Sequence, residues 1–306
     1  MGVGSSPPAR PAADARRLVP LLSGSGRVPE DYDVHLYAND FAAFRLDNPP
    51  FAGEPGLFAA TGARGTTDVV LYHPHHNLTP AQLPAGHWRK VIGLWTARYR
   101  ELAAHPDIQY VYIFENAGPA IGVTMPHPHG QIYGLPFVPP IMERELRSAC
   151  EYHTSQGACL YCRLLREELA DGRRIVRENA SFVAFVPFAA RFPAEVQICS
   201  RRHIESLLEL SGDQANDLAA LLKLVRMKYD NLFGFALPLM MMLRHPPAKG
   251  EHPYFHFHID FYPIQRSATK LKYLACIENG AGLFLNDTVA EDKARELRET
   301  EPHEFG

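Results

Sequence analysis

Residues 127–133 read HPHGQIY: two histidines one residue apart, then glycine and glutamine. In an extended segment side chains alternate between faces, so His127, His129 and Gln131 would form one row. A neutral imidazole becomes a nucleophile when one ring nitrogen is free and an acceptor fixes the tautomer through the other. The backbone carbonyl between the histidines could be that acceptor. Phosphorus is the natural target, because a phosphorylated histidine is a competent but unstable intermediate. Gln131 would offer its amide to the developing phosphoryl charge, and Gly130 would let the backbone approach closely.

Such a row needs a strand to carry it and a scaffold to hold the strand. The chain has 306 residues, enough for two domains, with 46% hydrophobic and 21% charged residues and a net charge of −3. That balance excludes a basic nucleic-acid binder. The longest apolar run, FGFALPLMMML (233–243), is too short to span a bilayer, which takes roughly 20 residues. No secretory signal is evident in MGVGSSPPARPAADARR. MGVGSS fits the loose myristoylation pattern, yet it reads better as a Ser/Pro tail. Five cysteines do not suggest a disulfide framework, so we expect a cytoplasmic protein without nucleic-acid or membrane partners.

The scaffold is repeated. YANDFAAF (37–44) echoes ENASFVAF (178–185), and VVLYHPHH (69–76) echoes VQICSRRH (196–203). Trp88, Val91, Ile92, Trp95, Tyr99 and Leu102 fall at offsets 0, 3, 4, 7, 11 and 14 of an amphipathic helix. Leu218, Leu221, Leu222, Val225, Tyr229 and Leu232 fall at the same offsets. Each half closes on a His-x-His strand, HPHGQIY in the first and FHFHIDFYP in the second. We therefore expect an α+β fold of two tandem modules, each an antiparallel sheet with one long helix. The predicted division is a poorly ordered tail over 1–30, a first module over 31–145 and a second over 146–279. A loop and a polar helix follow over 280–306, with Thr288 and Glu291 spaced as a capping box.

The stretch FENAGPAIGVTMPHPHGQIYG (114–134) resembles the active-site segment of the galactose-1-phosphate uridylyltransferase family, a two-module branch of the histidine-triad superfamily. The likeness runs from about Tyr37 to Glu278 and includes KYDNLF and RSATKLKYLACIE. Triad hydrolases generally have a third histidine where this chain has Gln131, and related phosphorylases often have serine at Gly130. The resemblance implies histidine-triad-like modules and a ping-pong reaction. His129 would attack the α-phosphorus of UDP-glucose, release glucose 1-phosphate, hold the uridylyl group and pass it to a hexose 1-phosphate. Gln131 would stabilise the phosphoryl oxygens. Asn39, Asn116, Gly122 and Thr124 match positions that hold the nucleotide and its phosphates. Lys272, Tyr273 and Glu278 match a segment that reaches the sugar phosphate across a homodimer interface.

The resemblance also implies zinc. Family members commonly hold it in the first half with a Cys-x-x-Cys pair, a mid-domain histidine and the first histidine of HPH. His76 and His127 match the last two, but RRLVPLLSG (16–24) puts Val19 and Leu22 where the cysteines should be. Two histidines without thiolates are a weak zinc site, so no tightly held metal is expected there. The second half carries CLYC, and the repeat aligns His203 with His76 and His256 with His127. Cys159, Cys162, His203 and His256 are thus the expected zinc ligands. Glu145, His245, His256 and His258 match a second metal set of the family; both sets claim His256, and thiolates are the better zinc ligands.

Three departures touch the substrate ends of the site. Only ARPAADARR (9–17) stands for the usual N-terminal RPW-type segment with its arginine, Ile277 replaces a common tyrosine, and a later glutamine is not evident. The reaction type is therefore read more firmly than the sugar or base. A phosphorylase or hydrolase on the same fold, and a non-catalytic nucleotide-binding relative, stay open as alternatives.

Overall fold

The computed structural model describes residues 28–29, 31–51, 53, 56–58, 60–123, 125 and 127–303. The first half contributes β1 (His35–Ala38), β2 (Thr66–Leu71), α1 (Ala85–Ala104), β3 (Tyr110–Ala117) and β4 (His129–Leu135). Next come α2 (Pro140–Gln156) and α3 (Leu160–Asp171). The second half contributes β5 (Ile175–Glu178), β6 (Phe182–Phe185), β7 (Val196–Ser200), α4 (Gly212–Phe233), β8 (Leu239–Arg244) and β9 (His258–Pro263). A small hairpin, β10 (Gln265–Ser267) and β11 (Lys270–Leu271), precedes α5 (Cys276–Ala281) and α6 (Ala290–Glu299).

The two halves share one nine-stranded antiparallel sheet, ordered β1-β2-β4-β3-β8-β9-β7-β6-β5. They meet at β3 and β8, where Phe114 lies opposite Met242. Phe114 also pairs with Gln131, and Met242 with Asp260. Each of these partners is two residues past the second histidine of its His-x-His, so a local twofold passes between Phe114 and Met242. The repeat in the sequence is thus a rotation in space.

The helices follow from the apolar stripes. The buried residues of α1 are Trp88, Val91, Ile92, Trp95, Tyr99 and Leu102, the six picked out by their spacing. On α4, Leu218, Leu221, Leu222, Val225 and Tyr229 are buried likewise. Ser211 caps α4 by accepting from the Gln214 amide, and Gly234 ends it in the left-handed conformation that glycine adopts without steric cost. Both helices pack on one face of the sheet, joining Val70, Ile113, Ile132, Leu243, Ile259 and Phe261 in a single core. At ~25 cal/mol per Å² of apolar surface, this shared core is the main force holding the halves as one body.

Some expected equivalences fail. The strand paired with β2 is His35–Ala38 and that paired with β7 is Phe182–Phe185, so YANDFAAF and ENASFVAF are not structural counterparts. The chain turns at Asn39, whose side-chain oxygen accepts from the Phe41 amide at 2.9 Å, and Phe41 is left exposed. In the strands, Val69 corresponds to Gln197 rather than Val196, because these two stand opposite Gln131 and Asp260. The loop up to the histidine is one residue shorter in the second half. α6 is capped at Val289, not through a Thr288–Glu291 box. The Thr288 hydroxyl donates to the Pro193 carbonyl instead, and Glu291 pairs with Arg174.

Candidate active site and metal centre

β4 begins at His129, so His127 stands outside the strand, contrary to a continuous His-x-His strand. A tight turn precedes it, with the His127 amide donating to the Met125 carbonyl at 2.9 Å. The His127 carbonyl faces the His129 ring: Nδ1 lies 2.7 Å from it. A carbonyl can only accept, so Nδ1 carries the proton and Nε2 is left with its lone pair. His127 itself is buried, and burial first, then the neighbouring His129, push its pKa down to about 4.

Gln131 continues the row from His129 and is oriented by the next member. The Tyr133 hydroxyl donates to Gln131 Oε1 at 3.0 Å, and the amide NH₂ has no partner among the described residues. Gly130 faces the other side of the sheet. A Cβ there would lie 2.2 Å from the Tyr72 hydroxyl oxygen and 3.1 Å from the Phe114 carbonyl oxygen, so only glycine fits.

A cavity of about 570 Å³ opens beside His129; Gln131 and Gly122 are not in its wall. His129, His127, His76 and Asn116 line it, with Gly118 and Val123 from the loop before β4. Gly118 and Gly122 both have positive φ, 90° and 86°, so this loop depends on glycine at its two bends. Thr124, Val19 and Leu22 lie outside the described residues. Asn39 is not in the cavity wall. Lys272 and Glu278 are brought together elsewhere, buried, at 3.1 Å, with Glu278 also accepting from the Ala275 amide at 3.0 Å. Tyr273 beside them is exposed.

The cysteine set does assemble. The ligand atoms of Cys159, Cys162, His203 and His256 all lie within 4.8 Å of one another. Cys162 Sγ is 3.4 Å from Nδ1 of both His203 and His256, and Cys159 Sγ is 3.8 Å from His256 Nδ1. A tetrahedral ion with metal–sulfur bonds of about 2.3 Å and metal–nitrogen bonds of about 2.0 Å would set such atoms about 3.6 Å apart. The site fits a metal ion. The hydrogen bond from Cys162 draws the Cys159 thiol down and holds Cys162 up, so one thiolate is already favoured. His256 Nε2 lies 2.8 Å from the Ser200 carbonyl, which fixes the tautomer that presents Nδ1.

The rival set does not assemble. Glu145 lies 3.2 Å from His258, but His256 is committed to the cysteines. His245 is packed against Tyr99 and Phe257 with both ring nitrogens unpartnered among the described residues.

His258 is the twofold counterpart of His129, and the two differ in what surrounds the second ring nitrogen. The backbone device is the same: His258 Nδ1 lies 2.8 Å from the His256 carbonyl. Its other nitrogen, however, is taken by Glu145 and by the Tyr161 hydroxyl at 3.1 Å, and the Tyr161 ring stacks on it at 4.3 Å. The position of Gln131 is held by Asp260, bonded to Arg244 and Gln197. The second site is sealed by its own helices α2 and α3.

Two family models match the chain: the galactose-1-phosphate uridyl transferase N-terminal domain over residues 9–139, and the corresponding C-terminal domain over 145–304. The chain belongs to the galactose-1-phosphate uridylyltransferase family. A galactose-1-phosphate uridylyltransferase of Thermotoga maritima is 38% identical over 295 residues, covering 95% of this chain and 92% of that relative. A solved structure described as a uridylyltransferase superposes with a TM-score of 0.88 at 32% identity, covering 97% of this chain and 94% of that one. An ADP-glucose phosphorylase from Arabidopsis thaliana, solved with ADP-glucose, gives 0.79 at 25% identity over 92% and 89%.

For a uridylyltransferase-family chain, sequence reasoning missed four buried groups beneath the active strand: Tyr72, Glu115, Arg226 and Asp230. A signal was available. Arg226, Lys228 and Asp230 interrupt the buried stripe of α4, where charge needs a partner to be tolerated. Lys228 has a structural one, donating to the Leu297, Arg298 and Thr300 carbonyls that end α6.

Proposed function

We propose that the protein transfers the uridylyl group of UDP-glucose to a hexose 1-phosphate, galactose 1-phosphate above all, through a covalent uridylyl-histidine on His129. The observation that carries this is the 2.7 Å contact of His129 Nδ1 with the His127 carbonyl, which frees Nε2 for attack. The Nε2 lone pair forms an N–P bond to the α-phosphorus. The bond from that phosphorus to the bridging oxygen breaks, and glucose 1-phosphate leaves with the electron pair. A phosphate oxygen of the incoming hexose 1-phosphate then attacks the same phosphorus, the N–P bond breaks, and neutral imidazole returns. Gln131 donates its amide to the phosphoryl oxygens in both steps.

Asn39, Asn116, Gly122 and Thr124 are assigned to the nucleotide and its phosphates. The segment of Lys272, Tyr273 and Glu278 is assigned to the sugar phosphate of the neighbouring subunit in a homodimer, with exposed Tyr273 as the reaching side chain and the buried Lys272–Glu278 pair bracing it. Cys159, Cys162, His203 and His256 are assigned to one structural zinc. Among the described residues no helix is long and apolar enough to cross a membrane. The Tyr72 hydroxyl fills the space that the serine of related phosphorylases would need at Gly130, so this chain departs from their pattern there.

The test is labelling with UDP-glucose carrying radiolabel in the uracil. Wild type should hold about one label per chain, release glucose 1-phosphate and discharge the label to galactose 1-phosphate. His129→Gly should remain folded and unlabelled. Label retained in that variant, or discharged only to inorganic phosphate, would overturn the proposal.

A further inference from the structure

Beneath the strand that carries His129, on the face away from its side chain, lies a charged pair with no evident structural need. Glu115 on β3 and Arg226 on α4 are 1% and 2% exposed, with Oε1 and Nη1 3.0 Å apart. Phe114 is paired with Gln131, so Glu115, the next residue, falls under Gly130. There the Tyr72 hydroxyl takes the space left by the missing Cβ and points toward the Glu115 carboxyl. Both members of the pair belong to the wall of the cavity that holds His129.

A buried ion pair seldom adds stability, because desolvating two charges offsets their attraction. Asp230, one helical turn beyond Arg226, is employed structurally: it accepts from the Leu237 amide at 3.0 Å and the Thr79 hydroxyl at 3.4 Å. Glu115 is not, since its Oε2 has no hydrogen-bond partner among the described residues. Burial raises the pKa of both Glu115 and Asp230, and Arg226 between them pulls each back toward its charged form. Burial keeps His127 and Tyr72 neutral, and a positive charge on His129 also favours the Glu115 carboxylate, so the ionisation of Glu115 is tied to the charge of the nucleophile.

The proposed reaction makes that positive charge. When Nε2 bonds to phosphorus while Nδ1 keeps its proton, the neutral ring becomes an imidazolium. We propose that Glu115, held by Arg226 of the second half, is a positioning residue for uridylyl transfer whose carboxylate balances the positive charge that His129 acquires as the N–P bond forms. The inference rests on His129 being the nucleophile. It gives the junction of the two halves a role in the reaction: an arginine from one sets the charge beneath the reactive histidine of the other.

The experiment measures the internal equilibrium of the first half-reaction, from the fraction of labelled protein at fixed UDP-glucose and varied glucose 1-phosphate. Glu115→Gln keeps the shape and removes the charge. Its equilibrium constant for the uridylylated enzyme should fall about tenfold, the order of a single charge acting through several ångströms of protein. kcat should fall with it, while KM for UDP-glucose stays within about threefold. Arg226→Gln, which leaves Glu115 without its cation and favours the protonated carboxyl, should shift the equilibrium the same way. Arg226→Lys should recover most of that loss. An unchanged equilibrium constant with a lowered Tm would make the pair merely structural and overturn the inference. Should Glu115→Gln not fold, equal constants for Arg226→Gln and Arg226→Lys would overturn it as well. Wild type that takes no label would refute the His129 mechanism, a different failure.

Discussion

Gly130→Ala is the smallest change that should damage the site, and its size can be worked from the contacts. The added methyl would lie 2.2 Å from the Tyr72 hydroxyl oxygen, 3.0 Å from Tyr72 Cζ and 3.1 Å from the Phe114 carbonyl oxygen, where ordinary contact begins at 3.4 Å. Tyr72 cannot swing away: it is fully buried, with its ring 5.6 Å from that of Trp88 and 6.0 Å from that of Trp95. Overpacking of a tight core costs about 1–3 kcal/mol, and an overlap of this depth belongs at or above the upper end. The strand must move, and with it the histidine before the glycine and the glutamine after it. We expect a loss of about 3 kcal/mol in urea unfolding, and a fall in kcat on the order of 10²-fold from misplaced reacting groups. Tyr72→Phe alone should cost less than about 1 kcal/mol, because its hydroxyl has no hydrogen-bond partner among the described residues. Combined with Gly130→Ala it removes the worst contact, so the double variant should regain at least about 1 kcal/mol of coupling. Wild-type stability and activity for Gly130→Ala, or strict additivity with Tyr72→Phe, would refute the reasoning.

Gln131→Ala should slow label transfer by about 10²–10³ with little change in nucleotide-sugar affinity, in single-turnover assays; an unaltered rate would leave Gln131 only a strand residue. Purified protein should contain about one zinc by elemental analysis, lost on Cys159→Ser, Cys162→Ser, His203→Ala or His256→Ala with a marked fall in Tm, but kept in His76→Ala. Zinc retained in the double cysteine variant would point back to Glu145, His245, His256 and His258. Burial first, and then the charge of His258, push His245 down to about 3, so the folded chain keeps it neutral where the unfolded chain binds a proton. Stability from this group is full above about pH 6.5 and is lost as pH falls toward 3. His245→Phe should therefore help more at pH 5 than at pH 7 in urea unfolding; equal effects at both would contradict the shift.

Local order was largely written in the chain. The spacing of Trp88 to Leu102 marked the buried face of α1, since a helix buries what recurs every three or four residues. HPHGQ named the histidine whose ring faces the preceding carbonyl, and CLYC named half of a cluster that fits a metal ion, because such residues are adjacent in sequence. The same local reading failed where a turn intervened, at Asn39, for there one hydrogen bond decides the direction of the chain.

What the fold decided depends on contacts between distant segments. The sequence showed two similar halves, but only strand pairing at Phe114 and Met242 joined them into one sheet about a local twofold. The two histidine pairs looked alike; burial beneath Tyr161 and Glu145 closed one, and the cavity left the other open. Arg226 and Glu115 are 111 residues apart, and no periodicity relates them. Their meeting under Gly130 is set by how α4 lies on β3, a matter of packing that no single segment contains.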